Sequence, residues 1–179
     1  FFTDRDVHRY LRKKGISNPN GEWFRCSVND VKAAVIALTK REENDDNRSL
    51  DFGMRPEQAE AVEKAARYFK SFKVENPEKT PHFLWNAKMR FGKTFASYQL
   101  AKKMGWKRLL VLTFKPAVQN AWEEDIQNHV DFKGWQFIAR NGQTIEEANK
   151  DNPIVCFGSF QDYLGKSSAG GIKAKNEWV

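Results

Sequence analysis

His82-Phe83-Leu84-Trp85-Asn86-Ala87-Lys88-Met89-Arg90-Phe91-Gly92-Lys93-Thr94 decides how this chain is read. Residues 82–86 are a short apolar run with the length and aromatic content of a strand. Residues 87–94 then match the phosphate-loop pattern GxxxxGK[ST], with Ala87 in place of the first glycine. Residues 94–104 continue in a helical pattern, closed by Gly105. The residue types suit a phosphate. Gly92 permits a tight turn, so that successive N–H groups converge on one point. A helix beginning near Lys93 adds the partial positive charge of its N-terminus. Lys93 can reach the β- and γ-phosphates, and the Thr94 hydroxyl can ligate Mg²⁺. The expected site is therefore Ala87, Lys88, Met89, Arg90, Phe91, Gly92, Lys93 and Thr94, with Lys93 and Thr94 as its catalytic members.

The neighbouring patterns extend this into a fold. Strand-like runs occupy 82–86, 108–114, 135–140 and 153–157. Helical patterns cover 94–104 and 117–129, the latter with Val118, Trp122 and Ile126 in line. A further helix is expected over 56–72, with Pro56 in its first turn and Ala59, Val62, Ala66 and Phe69 on one side. Alternating strands and helices predict an α/β fold with a parallel sheet and helices on both faces, as in P-loop ATPases. The loop 87–94 is expected at the carboxyl edge of strand 82–86.

Residues 41–51, Arg-Glu-Glu-Asn-Asp-Asp-Asn-Arg-Ser-Leu-Asp, are polar apart from one leucine and read as a linker or exposed loop. Before them lies a mainly helical appendage. Its first helix has Thr3 as a cap, Asp6 three residues on, and Gly15 at its end. Val7, Tyr10 and Leu11 supply an apolar stripe. A second helix over 29–40 carries Val31, Ala34, Val35 and Leu38 at helical spacing. Trp23 and Phe24, between the two, are expected as buried anchors. The domain reading is thus 1–40, a linker 41–53, and 54–179.

The whole chain has 179 residues and a formal net charge of +7. Residues 54–179 hold almost all of that excess, at +6. Fourteen Phe and six Trp exclude a wholly disordered chain. No apolar run approaches the roughly 18 residues of a membrane span, and no secretory leader pattern opens the sequence. Cys26 and Cys156 sit in no metal-binding spacing, and Cys156 lies in an apolar run where a buried thiol is expected. These features predict a cytoplasmic protein without a membrane partner. The chain is read as a piece of a longer polypeptide.

Met54-Arg55-Pro56-Glu57-Gln58-Ala59-Glu60-Ala61-Val62 resembles the RPxQxxAV opening of superfamily 2 helicases and restriction-type translocases. The resemblance implies a first RecA-like ATPase domain. It implies that Arg55 and Gln58 belong to the nucleotide site, with the Gln58 amide reading adenine. Residues 109–116 resemble the family's motif Ia, which implies nucleic-acid backbone contacts by Lys115 and Pro116. Residues 154–161 resemble the later strand ending in a Ser/Thr-rich contact turn, here with Ser159. ATP and Mg²⁺ are the implied cofactors. DNA is the implied partner, with RNA left open, together with the rest of the same chain. The family's Walker B strand, four apolar residues and then Asp-Glu, is not found in the sequence. The 179 residues alone are therefore expected to bind ATP weakly and to hydrolyse it negligibly.

Asp4-Arg5-Asp6-Val7-His8 with Gly21-Glu22-Trp23-Phe24 is similar to the end of some GIY-YIG nuclease domains. That resemblance implies a metal-binding role for Asp4. Two other readings compete with the motor. Phosphate loops also serve small-molecule kinases, and the basic excess also suits a non-catalytic DNA-binding module. The Arg55–Val62 pattern favours the motor.

Overall fold

The computed structural model describes residues 2–140 and 142–160. It divides into two compact units. One is the chain up to Phe52 together with Ile126–Lys133. The other is Gly53–Asp125 together with the chain from Gly134 onward.

In the first unit, α1 (Asp4–Lys13) and α2 (Val28–Lys40) both start on capping boxes. Thr3 and Asp6 close the first, and Ser27 and Asp30 the second. In both, the carboxylate accepts the N-cap N–H and hydroxyl, and in the second the Ser27 hydroxyl also accepts the Asp30 N–H, groups that a helix end would leave open. Gly15, at φ +76°, turns the chain out of α1. The buried face of α2 differs from the expected one. Ala33, Ala34 and Ala37 are buried, whereas Val31 and Val35 face outward. Three alanines allow close packing against α1, and the valines lie just off that line.

Most of residues 41–53 are exposed, as expected of a loop, but three of them are buried. Asn44, Arg48 and Ser49 are all buried. The Asn44 side chain donates to the carbonyls of Ala33 and Arg48, and accepts from the Arg48 N–H. Arg48 Nη1 donates to the carbonyls of Ile126 (2.5 Å) and His129 (2.8 Å). Polar composition marked this stretch as solvent-exposed, but the side chains of Asn44 and Arg48 serve as internal hydrogen-bonding partners. Trp23 is no anchor either, being 76% exposed beside an isolated bridge to Asn20. Phe24 is half-buried, with the His8 ring 5.1 Å away.

The second unit contains α3 (Pro56–Glu75), α4 (Lys93–Met104), β1 (Arg108–Thr113), α5 (Gln119–Asn128), β2 (Gln136–Ile138) and β3 (Ile154–Ser159). The last turn of α5 and the short 3₁₀ turn Val130–Phe132 are counted with the first unit. The sheet is parallel, in the order β1-β3-β2. β1 pairs β3 from Arg108↔Ile154 to Thr113↔Ser159, and β2 pairs β3 from Gln136↔Ile154 to Ile138↔Cys156. β3 is central, and Ile154, Val155 and Phe157 are buried accordingly. α3 packs on α4 through Val62, Ala65, Ala66, Ala96 and Leu100. Farther along α4, Tyr98 is fully buried, with the rings of Trp122 and Trp135 edge-on to it at 5.5 and 6.0 Å.

The expected strand at 82–86 does not form. Residues 82–87 are extended, with Phe83, Trp85 and Ala87 turned inward and His82, Leu84 and Asn86 outward. The period of two is a strand's, but among the described residues no neighbour pairs with it. Pattern sets side-chain direction; a strand also needs a ladder.

Candidate functional site

Residues 88–92 form a compact loop between the extended segment and α4. Phe91 N–H donates to the Lys88 carbonyl, and Arg90 (φ +62°) and Gly92 (φ +79°) both adopt left-handed backbone. Gly92 is then the N-cap of α4. That helix start differs from those of α1, α2 and α3. It has no capping box and no acidic residue in its first turn. Its first N–H groups thus carry the helix's partial positive charge without an internal acceptor from a side chain.

Two residues of the α3 start hold the loop from behind. Arg55 Nη2 donates to the Arg90 carbonyl at 2.9 Å and also to the Phe91 carbonyl. Gln58 Nε2 donates to the Phe91 carbonyl at 2.7 Å, while Gln58 Oε1 accepts the Arg55 N–H at 2.8 Å. Gln58 is buried, and both ends of its amide are occupied. The resemblance implied that this amide reads a base; in the structure it holds the Phe91 carbonyl of the loop. The contact also explains Gly92. A Cβ there would stand 2.5 Å from Gln58 Nε2.

Lys93 is exposed, and its Nζ donates back to the Lys88 carbonyl at 2.8 Å. It thus spans the loop it would serve. Thr94 is half-buried, and its hydroxyl has no partner among the described residues. Ala87 turns inward, whereas Lys88, Met89 and Arg90 project outward. Beside the loop lies a cavity of about 690 Å³, lined by Arg55, Lys64, Phe83, Trp85, Lys88 and Arg90 among others. Neither Lys93 nor Thr94 lines it. Its wall mixes these cations and the rings of Phe83, Trp85 and Phe91 with the carboxylate of Glu57, which pairs with Arg55 at 3.4 Å.

The nucleic-acid residues divide. Lys115 and Pro116 are exposed, in the turn after β1 that leads through Pro116–Val118 into α5. The Thr113 hydroxyl donates to the Lys115 carbonyl and shapes that turn. Ser159, by contrast, is fully buried opposite Thr113. It ends the central strand, so the expectation of a surface contact there is corrected. Asp4 is exposed in the first turn of α1, where its carboxylate accepts the Arg5 N–H at 2.9 Å. No group of three or more His, Cys, Asp or Glu among the described residues is arranged to hold a metal. Asp4 therefore has no companion ligands there. Cys156 is a free thiol, half-buried, and desolvation pushes its pKa up, with Arg108 opposing. It pairs with nothing in the site.

Sequence reasoning missed the role of Arg55 and Gln58 as a clamp. The signal was present in their position, one helix start facing another, but only the fold brings the two starts together. It also missed the cavity, whose aromatic wall lies on a segment read as a strand.

The chain is similar to a Mycoplasma pneumoniae protein provisionally named as the C-terminus of a type II restriction enzyme and methyltransferase, with 39% identity over 122 residues. The match takes in 66% of this chain and 16% of that protein. This chain thus spans about a sixth of the curated relative it matches. No protein-family profile matches the chain, and no solved structure matches it. No described helix is long and apolar enough to cross a membrane.

Proposed function

We propose that the second unit is the phosphate-binding part of an ATP-dependent motor in a restriction-type DNA enzyme. The observation that carries the reading is the α4 start. An uncapped helix N-terminus, a left-handed Gly92 and Lys93 meet at a loop whose carbonyls are drawn back by Arg55 and Gln58. Pulling the carbonyls away leaves N–H groups to face an anion. The M. pneumoniae relative supports DNA as the polymer, because its name assigns it to restriction and modification.

In this reading, Lys93 leaves the Lys88 carbonyl and meets the β- and γ-phosphates. The Thr94 hydroxyl is the group on this chain that fits Mg²⁺, the ion that neutralises charge on the transferring phosphoryl. Arg55 and Gln58 keep the loop open, and Lys88 and Arg90 add positive charge at its rim. The proposal also extends to Lys115 and Pro116 as a DNA backbone contact, because they are exposed at the carboxyl end of β1.

Calorimetric titration of the 179-residue chain with ATP·Mg²⁺ tests the site. Binding is expected, and Lys93→Ala should weaken it about tenfold or more, as the loss of a charged hydrogen bond does. Equal affinity for the two proteins, or no binding by either, overturns the reading. ATP hydrolysis by the whole polypeptide that carries this chain should rise on adding DNA and vanish in Lys93→Ala.

A further inference from the structure

α1 sorts its cations. Lys13 and Lys14 are taken up by the acidic loop after α2, where they pair with Glu43 and Asp45. Arg5, Arg9 and Arg12 recur at i, i+4 and i+7, so they share one face, turned away from the buried Leu11. All three are exposed. Arg9 meets Asp6 at 3.1 Å, whereas Arg5 and Arg12 have no carboxylate partner among the described residues. Residues 17–25 form a turn held against this helix. The Phe24 ring lies 5.1 Å from that of His8 and under the Arg12 guanidinium, 5.6 Å away. That contact sets the turn beside the C-terminal end of the arginine stripe. The Trp23 N–H donates to the Asn20 carbonyl, and the Asn18 amide donates to the carbonyls of Gly21 and Trp23, each bond 2.9 Å. The backbone is thus fixed on both sides of Trp23, yet its side chain stands in water. A large ring held outward is unfavourable unless something covers it. Arg25, two residues on, is a further exposed cation.

We infer that α1 and the turn 17–25 form a surface for single-stranded DNA, with phosphates along Arg5, Arg9 and Arg12 and an unpaired base stacked on Trp23. Charge favours a polyanion here. Residues 1–27 hold six basic and three acidic side chains, whereas residues 28–52 hold four and six. Arginines repeating at about one helical turn, roughly 5 Å, meet a polymer whose negative charge also repeats. A protein partner would need a matching row of carboxylates, whereas phosphates repeat in any sequence. The exposed indole selects a single strand, because a base offers its flat face only when it is out of the duplex. Glu22, the one carboxylate of the turn, adjoins Trp23 and leaves that place to the uncharged base rather than to a phosphate. The inference stands apart from ATP binding and from Lys115, which belong to the second unit, and Asp4 takes no part in it.

Fluorescence anisotropy of a labelled oligothymidylate is the test, with the 179-residue chain, no nucleotide and a series of salt concentrations. Trp23→Ala should weaken binding by about tenfold or more, the loss of one stacked base, and leave the salt dependence as it was. Trp23→Phe should restore most of the affinity. Arg5→Gln combined with Arg12→Gln should lower the slope of log K against log salt by about 1.4, at roughly 0.7 for each phosphate contact on a single strand. Glu22→Gln should tighten binding by about twofold. These side chains are exposed, so the variants should keep the parent's melting temperature. Unchanged binding by Trp23→Ala overturns the inference, as does an equal loss when the oligonucleotide is paired to its complement. So does a salt slope that the double arginine variant leaves unaltered. Displacement of the strand by polyglutamate at equal charge concentration also overturns it, since that is the behaviour of a surface for an acidic protein.

Discussion

Gly92 answers to two demands at once. Its φ of +79° is a region L side chains avoid, and Gln58 Nε2 occupies the space a Cβ would need. Gly92→Ala should destabilise the chain by about 1–3 kcal/mol, the range for a strained backbone position. Part of that loss is the clash with Gln58, so it should shrink when Gln58 is also made alanine. A double-mutant cycle by urea denaturation should give a coupling of about 1 kcal/mol between the two sites. Additive losses would mean that the φ angle alone selects glycine. The single change Gln58→Ala leaves the Arg55 N–H without its acceptor, but the Phe91 carbonyl keeps Arg55 Nη2. Its effect should therefore be read mainly in loop geometry, as weaker ATP binding with little change in stability.

At the scale of elements, charge and capping decide where helices start, and α2 shows it through pH. The Asp30 carboxyl is held below its ordinary value of 3.8, first by the Ser27 hydroxyl, then by the Ser27 backbone N–H, with Asn47 adding a third hydrogen bond. A carboxyl depressed in the folded state contributes stability above its unfolded pKa and loses it as pH falls through the folded one. The contribution should be complete from pH 7 to pH 5 and decline below about pH 4. Asp30→Asn should cost about 1 kcal/mol at neutral pH. The difference between the two proteins should close as pH drops toward 3, in urea titrations taken pH by pH. The starts at Thr3-x-x-Asp6 and Pro56 were legible in the sequence as local signals, whereas α2 starts at Val28, one residue before the expected 29, on a Ser27-x-x-Asp30 box that apolar spacing did not mark. Also legible were β1, β2 and β3, whose apolar runs coincide with the paired residues to within a few positions. The missing ladder at 82–87 was not legible, because pairing depends on a neighbour distant in sequence. The outward turn of Val31 and Val35 was not legible either. Hydrophobicity ranks valine above alanine, whereas close helix packing chose the smaller side chain.

For the molecule as a whole, the first unit depends on residues far along the chain. Composition placed a linker over 41–53, between residues 1–40 and 54–179, whereas the first unit runs through that stretch to Phe52. It also takes in Ile126–Lys133, a return that no local pattern announces. Four kinds of contact tie the two stretches together. Arg48 donates to the carbonyls of Ile126 and His129. Leu50 exchanges backbone hydrogen bonds with Asn128 and Val130. The Phe52 ring meets His129 edge-on at 4.7 Å, and the His129 ring nitrogen lies 2.9 Å from the Phe52 carbonyl. A peptide of residues 1–52 therefore loses the acceptors of a buried guanidinium and should not hold this structure by itself. Its proton–nitrogen correlation spectrum should be poorly dispersed. Within the full chain, Arg48→Met keeps the length of the side chain but takes its donor from the Ile126 carbonyl and leaves the His129 carbonyl only the Phe132 N–H, and should destabilise the first unit by about 1–3 kcal/mol. The loss should appear as faster exchange at amides of residues 44–52 and 128–133. Well-dispersed spectra from residues 1–52, together with an Arg48→Met chain of unchanged stability, would make the first unit a self-sufficient appendage and residues 126–133 a mere passenger on it.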